Sequence, residues 1–198
     1  MNVAIAFSFA TLIAIPFIIQ KLSKSKNPPQ HGRMWYIGCY LYSPLNTFGL
    51  YYLIYRFSWG LPEWSDYRWQ ALVFVIVIVL YDLSFYCLHR LMHDIRWFFV
   101  VIHSVHHRAY NPCPLDGLIA HPLETLVVTA PLMFLCKLLG ANIFVLWLIL
   151  VIATIRACIN HDEHKDPTHF VHHKDHRYNF GPNIWLWDKL GGTFRSKS

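Results

Sequence analysis

The chain has 198 residues, enough for one domain or one membrane bundle. Hydrophobic residues make up 55% and charged residues only 14%, a balance too apolar for an ordinary soluble domain. The net charge of +6 comes from basic residues that flank apolar segments and form no single basic stripe, so anionic lipid headgroups account for it and nucleic acid does not.

In chain order, the first apolar run is Val3 to Ile19, followed by Lys21, Lys24 and Lys26. A cleaved leader shows the opposite charge order, so this run is expected to be a signal-anchor helix with its basic end in the cytoplasm. Segment 21–33, KLSKSKNPPQHGR, predicts a polar connector that breaks the helix, with His31 at the surface. A second apolar stretch, Trp35 to about Phe57, is rich in Tyr and Trp and interrupted by Pro44 and Asn46. It reads as a kinked span or a re-entrant hairpin, with 58–68 as an interfacial loop.

The clearest span begins near Trp69 with ALVFVIVIVL. Its Val and Ile favour strand in water, but a lone strand in lipid leaves backbone polar groups unsatisfied, so helix is expected. From Ala71 to His89 the helical rise is roughly 27 Å, close to the hydrocarbon thickness. Two further apolar runs, 118–139 and 142–159, are separated only by Gly140 and Ala141 and must form an antiparallel hairpin. Each again rises roughly 27 Å, so both hairpin ends return to the border where His89 emerges.

The histidines fall in tight sets: His89 and His93 in HRLMH, His103, His106 and His107 in HSVHH, His161 and His164 in HDEH, and His169, His172 and His173 in HFVHH. At these spacings the rings of a set share one helix face about a turn apart. Neutral imidazole is a ligand for iron, zinc, copper and nickel, so ten converging rings can fill more than one coordination sphere. Two crossings separate HSVHH from HDEH, which puts both on one side. That side is cytoplasmic by its excess of Lys and Arg, including Arg90, Arg96, Arg108, Lys165, Lys174 and Arg177, against mainly Arg56, Arg68 and Lys137 opposite.

Supporting polar residues are Asp82, two turns before His89 and expected to accept the second N–H of a metal-bound histidine, with His121, Glu124, His176 and Asp188 as further outer partners. Asp162 and Glu163 read as solvated or outer groups. The five cysteines are dispersed without a CxxC and predict packing, with no disulfide or zinc clamp. A Gly-rich phosphate loop, GxSxG and a Cys/His nucleophile pattern are all missing.

HRLMH, then HSVHH after nine residues, then HFVHH after a further 61 that include the apolar hairpin, resembles the fatty acid hydroxylase / sterol desaturase superfamily of integral-membrane di-iron enzymes. YDLSFYCLHR, AHPLE at 120–124 and NFGPNIWLWDKLGGT near the end carry the same resemblance, which runs from about residue 70 to 194. It implies two iron ions, O2 as co-substrate, and hydroxylation or desaturation of a lipid C–H bond. It also implies an external electron donor, cytochrome b5 or an NAD(P)H reductase, since the chain carries no haem or flavin module of its own. The eight histidines of HRLMH, HSVHH and HFVHH match the family's ligand motifs. His161 and His164 are similar to the extra HxxH of sterol C4-methyl oxidases, although only four residues separate His164 from His169 where related sterol enzymes have a longer loop.

The expectation is therefore an all-α integral-membrane bundle of about 4–5 spanning helices, with an anchor region at 1–68 and a catalytic domain at 69–198. Its function is expected to be that of a sterol hydroxylase or C4-methyl oxidase, with fatty acid or carotenoid hydroxylation as the alternative. A divalent-metal transporter and an inactive scaffold are the readings of a different class. Location follows as multi-pass, in the endoplasmic reticulum membrane if the source is eukaryotic, with the histidines facing the cytoplasm.

Overall fold

The structure is a computed structural model that describes residues 3–28, 31–39 and 66–196, with side chains from residue 10 onward. The described elements are helical throughout. They are α1 (Val3–Leu22), a helix α2 described over 33–39, α3 (Tyr67–Asp94), α4 (Arg96–Val101), α5 (Pro122–Leu138), α6 (Ile143–Asn160), α7 (Pro167–Lys174) and α8 (Leu186–Leu190). Two 3₁₀ turns, His103–Arg108 and Pro114–Leu118, lie between α4 and α5. Residues 40–65, which hold most of the second apolar stretch and of the interfacial loop, lie outside the described residues.

The β-branched run at the start of α3 is helical, as the lipid argument requires. Asp66 caps it by accepting from the Arg68 amide at 2.9 Å. Val73, Val77 and Tyr81 recur every four residues and pack on Leu132, Met133 and Cys136 of α5 and on Val145, Leu146 and Ile149 of α6. The expected tight turn between α5 and α6 is present, with α5 packed on α3 and α6 on α1. Asn142 caps α6 by accepting from the Val145 amide, and Gly140 supplies the left-handed φ of +64° that closes the turn. Gln70 clamps that turn to α3, donating to the Gly140 carbonyl at 3.0 Å and accepting from the Asn142 amide at 2.8 Å.

Two described helices, Tyr67–Asp94 and Ile143–Asn160, are long and apolar enough to cross a membrane. α5 has 17 residues with Pro131 inside it. The described cysteines form no disulfides, and four of the five are buried.

One expectation on polar residues fails, and for Asp162 the solvated alternative falls away. His31 is buried because its ring fills a gap between two acceptors, the Asp116 carboxylate and the Val105 carbonyl. Asp162 is fully buried, accepting from the Ser23 hydroxyl and the His164 amide.

The 3₁₀ turn Pro114–Leu118 lies tightly against α6. A Cβ on Gly117 would stand 2.3 Å from the Ala157 carbonyl oxygen, a backbone atom that cannot swing away. Gly117→Ala should therefore cost roughly 1–3 kcal/mol, read as a lowered Tm in detergent; an unchanged Tm contradicts this packing.

Candidate metal centre

The elements bring nine of the ten clustered histidines together in two groups. His89, His93, His103, His107 and His172 form one, and His106, His161, His169 and His173 form the other. Within each group one ring nitrogen per residue lies within 4.8 Å of the others. The expectation that each set shares one face is refined here, because both HxxHH sets divide between the groups.

In α7, His169 and His173 are separated by roughly 40° around the axis, whereas His172 lies roughly 100° from His173. Accordingly His169 and His173 serve the second group and His172 the first, with the His172 and His173 rings turned 85° apart. HSVHH forms a 3₁₀ turn, in which i and i+3 side chains stack along the axis. His103 and His106 stack at 5.5 Å and 26° but are offset along that axis, so each serves a different group. α3 adds His89 and His93 to the first group, and the residue capping the C-terminus of α6, His161, joins the second.

Outward partners determine which ring nitrogen faces inward. The Nδ1 atoms of His89, His106, His161 and His172 lie 2.7, 2.9, 2.6 and 2.7 Å from the carbonyl oxygens of Phe180, Ile119, Ala157 and Tyr178. A carbonyl can only accept, so each Nδ1 carries the proton and each Nε2 presents a lone pair. His103 is oriented in the same way by Glu124, at 2.8 Å from its Nδ1.

The inward Nε2 atoms then confront each other. His89 and His103 approach to 3.0 Å, and His106 and His161 to 3.2 Å. Facing lone pairs at that distance repel unless a cation lies between them. His107 Nε2 lies 3.0 and 3.1 Å from the Nε2 atoms of His103 and His172, His173 Nε2 lies 3.0 Å from that of His161, and the buried His93 Nε2 has no partner, all adding to the same deficit. Burial and the neighbouring rings lower the pKa of His103 and His161 to about 3 and push His107, His169, His172 and His173 well below the usual range. The rings are neutral and therefore competent as ligands. The residues fit two metal ions, and an all-imidazole set suits iron among other transition metals.

The remaining expected residues lie around this centre. Glu124 orients His103. Asp82 takes another partner than expected, accepting from the Asn183 amide at 3.1 Å and its side-chain Nδ2 at 2.8 Å. Seven residues of helix put Asp82 roughly 10 Å from His89 along the axis, too far to reach its ring. Asp188 accepts from the Phe180 and Gly181 amides and the Thr193 hydroxyl. Both carboxylates therefore act on His89 through the 180–183 turn, whose Phe180 carbonyl holds the His89 N–H.

His121 caps α5, its Nδ1 accepting from the Leu123 amide at 3.1 Å, and belongs to neither group. His176 is half-buried with its ring 4.2 Å from that of His107, beside the first group but not in it. His164 also stands apart, about half exposed and 3.7 Å from Glu163.

A cavity of about 170 Å³ opens on both groups. Its apolar walls are Tyr81 and Phe85 of α3, Val128 of α5, and Leu150 and Ala153 of α6, and His89, His103, His106, His161 and His169 close its polar end. From Leu150 to His161 it follows roughly 16 Å of α6.

Residues 74–193 match the family model described as fatty acid hydroxylase. The chain belongs to the fatty acid hydroxylase family. This family is iron-dependent and membrane-associated, and its members act on lipid substrates. A very-long-chain aldehyde decarbonylase of Oryza sativa subsp. indica is 29% identical over 159 residues, covering 76% of this chain and 58% of the relative. Methylsterol monooxygenase 2-2 of Arabidopsis thaliana is 32% identical over 106 residues, covering 54% of this chain and 38% of the relative. Methylsterol monooxygenase 1 of Gallus gallus is 29% identical over 163 residues, covering 73% and 54%. The chain thus spans about half the length of these curated relatives. No solved structure matches it.

The two histidines of HDEH should behave differently. His161→Ala should remove a metal from the purified protein, whereas His164→Ala should leave the metal count unchanged, both read by elemental analysis. Equal loss in the two variants would contradict the division drawn here.

Proposed function

We propose that this chain is a membrane-bound di-iron oxidoreductase that uses O2 to hydroxylate or otherwise oxidise a lipid, with a sterol as the leading substrate class. The single observation that carries this reading is the apolar cavity ending on both histidine groups at once. A lipid lying along α6 brings one carbon against the nine-histidine centre while the rest of the molecule stays among apolar side chains. The two methylsterol monooxygenases among the relatives favour a sterol.

When bound, iron supplies the activation of O2, which side chains alone cannot provide. The chain's own part is to hold, orient and exclude. The nine imidazoles would hold the metals, His89, His93, His103, His107 and His172 at one position and His106, His161, His169 and His173 at the other. Glu124 and the carbonyls of Phe180, Ile119, Tyr178 and Ala157 keep the ring N–H bonds outward, fixing tautomer and ring plane. Phe85, Val128, Leu150 and Ala153 keep bulk water from the reacting carbon, which protects a strong oxidant from side reactions.

The catalytic domain is residues 69–198 in this reading, with 1–68 as the anchor region. About four to five spans place the histidines at the cytoplasmic border, in the endoplasmic reticulum membrane if the source is eukaryotic. Electrons come from a separate donor in this reading, cytochrome b5 or an NAD(P)H reductase. The decarbonylase among the relatives favours a second substrate, a very-long-chain aldehyde, which would enter the same cavity.

The test is to purify the protein, count iron, and measure O2 uptake with a methylsterol, a fatty acyl lipid and a long-chain aldehyde in the presence of a reductase system. Two irons per chain and donor-dependent oxidation of the methylsterol are expected. Oxidation of the aldehyde alone would select the second substrate, and two irons with no O2 uptake on any lipid would overturn the enzyme reading. In the same assay Ala153→Phe, which fills the cavity, should lower turnover at least tenfold without changing the iron count.

A further inference from the structure

We propose that the described residues 20–28 and 31–36 act as a strap that positions the second metal site, with His31 as its positioning residue. The inference rests on the two-iron reading above.

His106 is held on two sides. Its Nδ1 donates to the Ile119 carbonyl, and the carbonyl of the preceding residue, Val105, accepts from His31 Nε2 at 2.9 Å. The other His31 nitrogen, Nδ1, lies 2.8 Å from Asp116 Oδ1. Asp116 in turn organises the turn that presents Ile119. It accepts from the Cys113 amide at 2.9 Å and from the Tyr36 hydroxyl, and its carbonyl accepts from the Ile119 amide at 3.0 Å. One ring therefore bridges the segment that carries His106 and the segment that orients it. Both nitrogens of His31 lie within hydrogen-bond distance of oxygen atoms, a two-ended bridge that an apolar side chain cannot reproduce.

The strap has further holds. Ser23 donates to Asp162 Oδ2 at 2.6 Å, directly after His161 in the chain. Gln20 accepts from the Leu115 amide at 3.2 Å, and Asn27 donates to the Pro112 carbonyl at 3.4 Å. These contacts flank His106 and His161, both in the second group, and none touches HRLMH or HFVHH. The matched family region begins at 74, so the strap lies outside it. A segment that only anchored the chain would have no reason to bury a histidine and a carboxylate against two ligand-bearing segments.

The test uses the full chain in detergent, titrated with Fe(II) without oxygen. Wild type should take up two irons. In His31→Phe the second iron should bind roughly 10–100-fold more weakly while the first is unchanged. His31→Gln, which restores donor capacity, should recover part of that loss. Combining His31→Phe with His161→Ala should remove no more iron than His161→Ala alone, because both act on one position.

Wild-type uptake by His31→Phe, or equal weakening of both irons, overturns the strap. If His31→Phe does not fold, Ser23→Ala decides in its place. Selective weakening of one iron supports the strap, and no weakening or equal weakening overturns it. A wild-type chain that takes fewer than two irons instead overturns the two-iron reading beneath it.

Discussion

Nine imidazoles, seven buried and two half-buried, with ring nitrogens turned toward one another are the constraint on which this structure depends. Neutral rings at this depth cannot relieve the repulsion by taking up protons, since burial opposes the charged form. Five of them are also kept from turning away, because carbonyls and a glutamate hold their outer nitrogens. Cations between the rings would resolve the conflict, and the helices are arranged to keep it in place. α3 carries His89 and His93 near its C-terminal end, His161 caps the C-terminal end of α6, and α7 closes the set.

The outer shell is built from backbone more than from side chains. Four ring N–H bonds end on main-chain carbonyls, so the positions of those carbonyls decide where the lone pairs point. Asp82 and Asp188, from α3 and α8, both pin the 180–183 turn. Carboxylates that looked like direct partners of histidine thus act one step further out. The same layering puts the apolar cavity on one side of the centre and the more open face beside His93 and His176 on the other.

Much of this was legible in the residues. The helical reading of ALVFVIVIVL, the tight turn at Gly140 and the gathering of distant histidine sets followed from periodicity, helix rise and spacing. Other features depended on geometry that spacing does not encode. HSVHH winds as a 3₁₀ turn, so the register of its rings could not be read from an α-helical wheel. His161 caps α6 and faces inward, whereas His164, three residues on in a turn, faces solvent. His31 sits in a polar, proline-containing connector that gives no sign of burial, and only the approach of Asp116 and Val105 from 70 or more residues away reveals its place. The partner of Asp82 was missed for the same reason, since Asn183 lies 101 residues further along the chain.

The central claim, two metals divided between the histidine groups, is tested most directly by anomalous diffraction at the iron edge from crystals of the iron-loaded protein. Two peaks are predicted, one among His89, His93, His103, His107 and His172 and the other among His106, His161, His169 and His173. A single peak, or a peak ligated by His164 or Asp162, would contradict the account.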